Sequence, residues 1–209
     1  MMTTTRLIIL VLALTVGTVR AAPLIDQAQE IGDVPYSFGN IDFHEFAQTF
    51  SVGRSGWLTA IDLQVAESPF FPEQGGNLVV NILPTLDGKP TSPVLLFQVG
   101  KDVIPTWNGQ TPADVDFLHI ELPTRVPVTA GKLFAIELFH TGFGSGEFVW
   151  GGSEADVYGG GQAFSRGFAE LWGEEEHDFA FRTHVDPVPE PATWVLLASG
   201  IGILWRRLT

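Results

Sequence analysis

Apolar and polar residues alternate over short runs through the middle of the chain, with the period of a β-strand that buries one face. The alternation is strict in residues 61–65, and in residues 117–122 Leu118, Ile120 and Leu122 alternate with Phe117, His119 and Glu121. Further strand-like runs cover residues 46–52, 78–82, 94–99, 133–139, 147–150, 163–165 and 179–183. Between the chain ends, no window of twelve or more residues has helical spacing. The pattern therefore predicts an all-β domain.

Turn signals separate these runs at residues 75–76, 87–90, 108–109 and 130–131, each built from glycine with small or polar neighbours or proline. About nine short strands at fairly regular intervals favour an antiparallel β-sandwich with jelly-roll connectivity. Sixteen Phe and two Tyr fit sheets packed over an aromatic core. No internal repeat indicates a propeller or solenoid.

The amino-terminal segment has the three parts of a secretory signal peptide. Arg6 supplies a positive charge, residues 7–16 are apolar, and residues 19–21 offer a small-residue cleavage site after Ala21. We expect residues 1–21 to be removed and residues 22–187 to form one exported domain. An uncleaved amino-terminal anchor is the alternative.

The carboxy-terminal segment, residues 188–209, is also tripartite. Val-Pro-Glu-Pro at 188–191 precedes an apolar run over 192–205, and Arg206 and Arg207 follow. Fourteen residues span about 21 Å as a helix, against roughly 30 Å of hydrocarbon. This predicts a short transmembrane helix with a basic stop, a buried core helix being the alternative. Residues 183–188 are predicted to be an extended linker.

This tail resembles the PEP-CTERM sorting signal of exported bacterial proteins, with Pro189, Glu190 and Pro191 as the motif. The resemblance implies processing by exosortase, a transient stay in the inner membrane, and a final place at the cell surface or in the extracellular matrix. It also implies a host that makes exopolysaccharide, and so a role in biofilm. Residues 48–52, 56–61 and 178–183 resemble, more weakly, the first and last strands of exported bacterial β-sandwiches.

The charge balance narrows the partners of the exported domain. The terminal segments hold four of the 11 basic and one of the 24 acidic residues, which leaves 7 and 23 and a formal charge of −16. Such a surface repels nucleic acid and anionic lipid. The chain has no cysteine, which excludes thiol catalysis and thiolate metal sites.

Catalytic patterns are weak. Ser145 lacks the full Gly-x-Ser-x-Gly spacing, and His44-Glu45 is followed by Gln48 where a zinc protease needs a second histidine. We therefore assign no catalytic residue and no cofactor, and expect a non-enzymatic protein. The alternative is an extracellular glycan-active enzyme, a hydrolase or lyase. Glycoside hydrolysis needs two carboxylates about 5 to 10 Å apart, and among many acidic residues such a pair also arises by chance.

One acidic run offers hard oxygen ligands. Glu174, Glu175, Glu176 and Asp178 follow Gly173 in a loop-like stretch, and calcium takes six to eight oxygens. A structural calcium site is one interpretation of this run; a solvated turn is the other.

Tryptophan rings suggest a mode of ligand binding. Polysaccharide-binding modules stack flat aromatic rings on the apolar faces of sugars. Trp107 and Trp172 lie in turn-like segments and are expected to be exposed, whereas Trp150 ends an apolar strand and is expected in the core. The leading hypothesis is an exported surface or matrix protein that associates with exopolysaccharide through such rings.

Overall fold

A computed structural model describes residues 23–39, 44–68, 77–100, 103–107, 115–141, 147–167 and 170–188. About 64 % of these residues lie in strands and none in a helix, which confirms the all-β prediction. The strands are β1 (Leu24–Gln29), β2 (Val34–Gly39), β3 (Glu45–Ser51), β4 (Gly56–Leu63), β5 (Val65–Glu67), β6 (Asn77–Leu86), β7 (Lys89–Pro90), β8 (Leu95–Val99), β9 (Leu118–Val128), β10 (Leu133–Thr141), β11 (Glu147–Gly152), β12 (Ala163–Arg166), β13 (Gly173–Glu174) and β14 (Phe181–Pro187).

The strands form three sheets. A four-stranded sheet has the order β1-β14-β4-β9, and a three-stranded sheet has the order β2-β11-β5. The largest sheet runs β13-β12-β3-β10-β6-β7, with β8 also paired to β6. Each pairing between these strands is antiparallel, as predicted. The jelly-roll connectivity stays a prediction.

One hydrophobic core joins the sheets. Phe50 of β3 and Phe181 of β14 are fully buried and their rings lie 6.0 Å apart, so the largest sheet packs on the four-stranded one. Trp150 of β11 is fully buried and stacks on Phe179 at 4.4 Å, which confirms its predicted place in the core. Its indole N–H donates to the carbonyl of Ala180 at 2.9 Å, so burial leaves no donor unpaired.

The four-stranded sheet has two distinct ends. Leu24 pairs with Val185, and Gln29 pairs with Phe181, because β1 and β14 run antiparallel. The described chain therefore enters and leaves at one end, which we call the terminal pole. The opposite end, where β1 and β4 finish and β14 and β9 begin, we call the far pole.

The predicted linker over residues 183–188 is wrong for most of its length. Residues 183–187 belong to β14, which pairs with β1 on one side and β4 on the other. Thr183 and Val185 are buried in the core while His184 faces outward, so the alternation continues to Val185, and Asp186 is buried next to it. The prolines at 187 and 189 had suggested a break before the strand actually ends.

Residues 1–22 and 189–209 lie outside the described ranges, and with them the predicted signal peptide, the tail helix and the residues Pro189, Glu190 and Pro191. Among the described residues, no helix has the length and apolar character needed to cross a membrane.

Candidate functional site

A carboxylate and two imidazoles meet on the outer face of the four-stranded sheet. Asp62 lies on the central strand β4, opposite His119 of β9 on one side and Arg182 of β14 on the other. His184 lies two residues further along β14, on the same face. Since neighbouring side chains on one face of a sheet are about 5 to 8 Å apart at their Cβ atoms, all three can reach a common point.

Both oxygens of Asp62 are engaged by histidine. Oδ1 lies 2.6 Å from Nδ1 of His119, and Oδ2 lies 2.8 Å from Nε2 of His184. The two rings are edge to face, with centroids 5.2 Å apart. The Asp62 side chain is only 9 % exposed, against 53 % for His119 and 15 % for His184, so the group opens to solvent on the β9 side.

Arg182 links this group to the far pole. One guanidinium nitrogen lies 3.9 Å from Oδ2 of Asp62, and Nε donates to Oε1 of Glu30 at 2.7 Å. The guanidinium carbon sits 4.2 Å above the ring centre of Phe117. The orientation of the Arg182 guanidinium is thus fixed by stacking on Phe117 and by the carboxylates of Glu30 and Asp62.

A cavity of about 440 Å³, the far-pole pocket, begins at Arg182. Its wall includes Glu30, Asp33, Gln64, Asp116, Phe117 and Arg182. Apart from Arg182 of β14, these residues come from the chain segments that follow β1 and β4 and precede β9, so the pocket lies at the far pole of the sheet, opposite Leu24 and Pro187. The wall combines an apolar ring with several hydrogen-bonding groups, as sites for small polar ligands usually do.

The predicted acidic run is divided by the fold. Glu174, Glu175 and Glu176 line a second cavity of about 410 Å³ together with Asp156. Asp178 is fully buried and is not among the residues that line this cavity, and its carboxylate accepts hydrogen bonds from protein donors. Calcium binding by the exposed glutamates stays a prediction.

Asp178 works as a structural clamp. Its Oδ2 accepts the backbone N–H groups of Val157 and Tyr158, both at 2.7 Å, and Oδ1 accepts from Nε2 of Gln48 at 3.0 Å. The carboxylate therefore ties the turn after β11 to β3. A carboxylate buried this deeply is destabilising unless protein donors form hydrogen bonds to its oxygens, as they do here.

The two tryptophans predicted to be exposed behave differently. Trp172 is only 9 % exposed, and the guanidinium of Arg166 covers its ring at 4.2 Å, so the prediction of exposure is wrong for this residue. The apolar pocket formed with Ala47 and Phe164 draws the ring inward. Trp107 is half-buried and its backbone N–H donates to the carbonyl of Glu67 at 2.8 Å. Sugar stacking by Trp107 stays a prediction.

Sequence reasoning did not single out the Asp62 group. Asp62 and His119 occupy polar positions of two alternating runs, which placed them on the polar faces of two strands. Their proximity depends on the pairing of β4 with β9, which joins segments 57 residues apart, and on β14, which the sequence assigned partly to a linker. Among the described residues, this is the one group of three or more histidine, aspartate or glutamate residues with ligand atoms all within 4.8 Å of one another.

Residues 187–207 match the family model of the PEP-CTERM protein-sorting motif. The match begins at the last residue of β14 and confirms the predicted sorting tail. A search of curated proteins finds no match to the chain. The motif indicates a protein that is exported and sorted to the surface by exosortase, a membrane enzyme.

Proposed function

We propose, from the premise that residues 187–207 are a PEP-CTERM sorting motif, that this exported protein is a non-enzymatic surface or matrix component that binds extracellular polysaccharide at its far pole. Exosortase is the processing partner that the motif implies. The polysaccharide, the absence of catalysis and the matrix location are the new elements of the proposal.

The position of the far pole relative to the sorting motif is the main support for this proposal. The sorting motif begins where β14 ends, at the terminal pole, and β1 starts at that same pole. A domain held by either end of its chain therefore turns its far pole away from the membrane. The pocket at the far pole then faces the surrounding matrix before processing.

The chemistry of the pocket suits a sugar. Phe117 offers a half-buried ring, one face of which Arg182 covers. Arg182, Gln64 and three carboxylates offer donors and acceptors for hydroxyl groups. A volume of about 440 Å³ lies in the usual range for small-molecule sites, so one or two sugar units would fit. The aromatic contact differs from the predicted pair, Trp107 and Trp172.

The charge of the domain selects among polysaccharides. Glu30, Asp33 and Asp116 stand at the mouth of the pocket in a domain with a formal charge of −16. An anionic polymer would be repelled at low ionic strength. We therefore expect a neutral polysaccharide to be the ligand.

A glycan-active enzyme is the second candidate, because those three carboxylates line the same cavity. Glycoside hydrolysis needs two carboxyl groups on either side of the scissile bond. An enzyme and a binding protein would both hold the polysaccharide in this pocket. They differ in whether the polysaccharide is cleaved.

Affinity electrophoresis in gels containing dextran, barley β-glucan or galactomannan tests the proposal. We expect at least one of these neutral polymers to retard the protein, and Phe117→Ala to abolish the retardation. Trp57→Ala is the matched control, since Trp57 is an aromatic residue of 42 % exposure near the terminal pole.

Reducing-end assays on the same polymers complete the test. Retardation without new reducing ends supports a binding protein, and new reducing ends would establish the enzyme instead. No retardation in any of the three gels, or equal retardation of wild type and Phe117→Ala, would show that the far-pole pocket is not a site for neutral polysaccharide.

A further inference from the structure

We propose that Asp62, His119 and His184 bind one divalent transition-metal ion, with zinc the expected occupant. The proposal is independent of the polysaccharide function. It rests on three ligand atoms that lie within 4.8 Å of one another and belong to three adjacent strands of one sheet.

The distances between the three ligand atoms are close to those around a tetrahedral zinc ion. Zinc bonds to imidazole nitrogen at about 2.0–2.1 Å and to carboxylate oxygen at about 2.0–2.2 Å, so two ligands of a tetrahedral ion stand about 3.3 Å apart. The nitrogens of His119 and His184 now lie 2.6 and 2.8 Å from the Asp62 oxygens. Each Asp–His pair would have to open by about 0.6 Å, and no two ligand atoms stand more than about 1.5 Å beyond the tetrahedral spacing.

The strand positions and the burial of the three side chains restrict how far the ligand atoms can move. Asp62 is nearly buried on the central strand, and His184 is almost as well covered, whereas His119 is half exposed. Sites with three protein ligands and an open face leave the remaining position to water or to a further ligand. Ligands carried on paired strands are also held more firmly than ligands carried on loops.

Two charges near the group act in opposite directions. Arg182 lies 3.9 Å from Oδ2 of Asp62 and disfavours a cation, but its Nε is paired with Glu30 and its plane stacks on Phe117. Glu121 lies 3.8 Å from Nε2 of His119 and favours a cation. With two imidazoles and one carboxylate, the donor set prefers zinc, copper or nickel over calcium or magnesium.

Isothermal titration of zinc into the full 209-residue chain, held in a non-ionic detergent and carrying no polyhistidine tag, tests the site. We expect one ion per chain, and binding weakened about tenfold or more in His119→Gln and in His184→Gln. His44→Gln is the matched control, because His44 is an exposed histidine at the start of β3. Circular dichroism establishes that each variant is folded.

Cobalt substitution provides a second measurement. Tetrahedral or five-coordinate cobalt bound at this group should give visible absorption bands that His184→Gln removes and His44→Gln retains. The proposal is overturned if millimolar zinc does not bind, or if both site variants bind zinc with the stoichiometry and affinity of the wild type. In either case Asp62 and its histidines form a hydrogen-bonded cluster without a metal.

Discussion

The side chain of Gln48 donates from Nε2 to Oδ1 of Asp178 over 3.0 Å, and 130 residues separate the two in the chain. Both side chains are fully buried. The amide oxygen of Gln48 in turn accepts the backbone N–H of Phe179 at 2.8 Å. Because one amide satisfies the carboxylate and the neighbouring backbone together, this pair joins β3 to the segment that leads into β14.

Replacing Asp178 with Asn should lower the free energy of unfolding by about 3 kcal/mol. Asparagine keeps the shape but offers only one acceptor oxygen. Its NH2 group must therefore face either the Gln48 amide donor or the N–H groups of Val157 and Tyr158. Urea unfolding followed by tryptophan fluorescence measures the change.

Glu176→Gln is the control for that substitution, because it removes a carboxylate from an exposed residue two positions away. We expect its effect to be within about 0.5 kcal/mol. Equal stability of Asp178→Asn and Glu176→Gln would mean that the buried clamp contributes nothing to folding.

Replacing Arg166 with Gln should destabilise the protein by about 3 kcal/mol near neutral pH. Glu137 is 2 % exposed, its carboxylate accepts from Nη2 of Arg166 at 2.8 Å, and burial raises the pKa of Glu137. Without Arg166 the buried carboxylate keeps a hydrogen bond from Asn81 but loses its positive partner. Thermal unfolding of wild type and variant gives the difference.

The pH dependence of that loss has a defined sign. A buried carboxyl with a raised pKa does not lower the free energy of unfolding while it is protonated in both the folded and the unfolded protein. It lowers that free energy as the pH rises through the pKa of the folded protein. The deficit of Arg166→Gln should therefore shrink from about pH 7 to about pH 4. Adding Glu137→Gln should recover much of the stability at pH 7. A deficit that the second substitution does not change would contradict this account.

His177 should make the protein less stable as the pH falls. The ring stacks on Tyr36 at 3.8 Å, and burial lowers the pKa of His177 despite the nearby Glu175 and Asp178 carboxylates. The unfolded chain takes up a proton near the ordinary value of 6.5, while the folded ring stays neutral until the pH falls further. Stability is thus lost as the pH drops from about 6.5 through the lowered folded value.

The variant His177→Phe keeps an aromatic ring in the stack and removes the titration. We expect it to lose less stability between about pH 7 and about pH 5 than the wild type does. Parallel slopes for wild type and His177→Phe would assign the acid sensitivity to other groups.

Replacing Gly161 with Ala should lower stability by about 2 kcal/mol or more. A Cβ atom there would lie 1.9 Å from the carbonyl oxygen of Thr49 in β3, and backbone cannot move aside as a flexible side chain can. Gly159→Ala is a close control, since a Cβ at that position meets nothing within 4 Å. Chemical unfolding of both variants should separate them clearly; equal midpoints would refute the predicted clash.

Periodicity predicted the strands that bury one apolar face and missed those that do not. β3 and β10 lie within about two residues of the runs predicted at 46–52 and 133–139, whereas the run predicted at 61–65 covers the end of β4 and the start of β5. β1, with the sequence LIDQAQ, and β2, with VPYSFG, contain few apolar side chains that reach the core. They are strands because β14 and β11 supply hydrogen-bonding edges, which is information that a local pattern does not contain.

In the candidate site, too, the local pattern predicted the face of each strand on which a residue lies but not which residues are in contact. Local alternation placed Asp62 and His119 on polar strand faces, but only the register of β4 with β9 and β14 puts their side chains in contact. Trp172 shows the converse error: a turn-like neighbourhood predicted exposure, but Arg166, from a different strand, covers the ring. Both outcomes depend on pairings between segments distant in the chain.

The position of β14 between β1 and β4 also sets the order of events during secretion. In a chain that crosses a membrane amino terminus first, β1 and β4 wait on the outside until residue 187 has followed them. The four-stranded sheet closes only when the sorting motif, which begins at that residue, is already at the membrane. Such long-range pairing is slow to form. Closure of the sheet and recognition of the sorting motif therefore both require residue 187 to have crossed the membrane, and a substitution that delays closure would present exosortase with an incompletely folded domain.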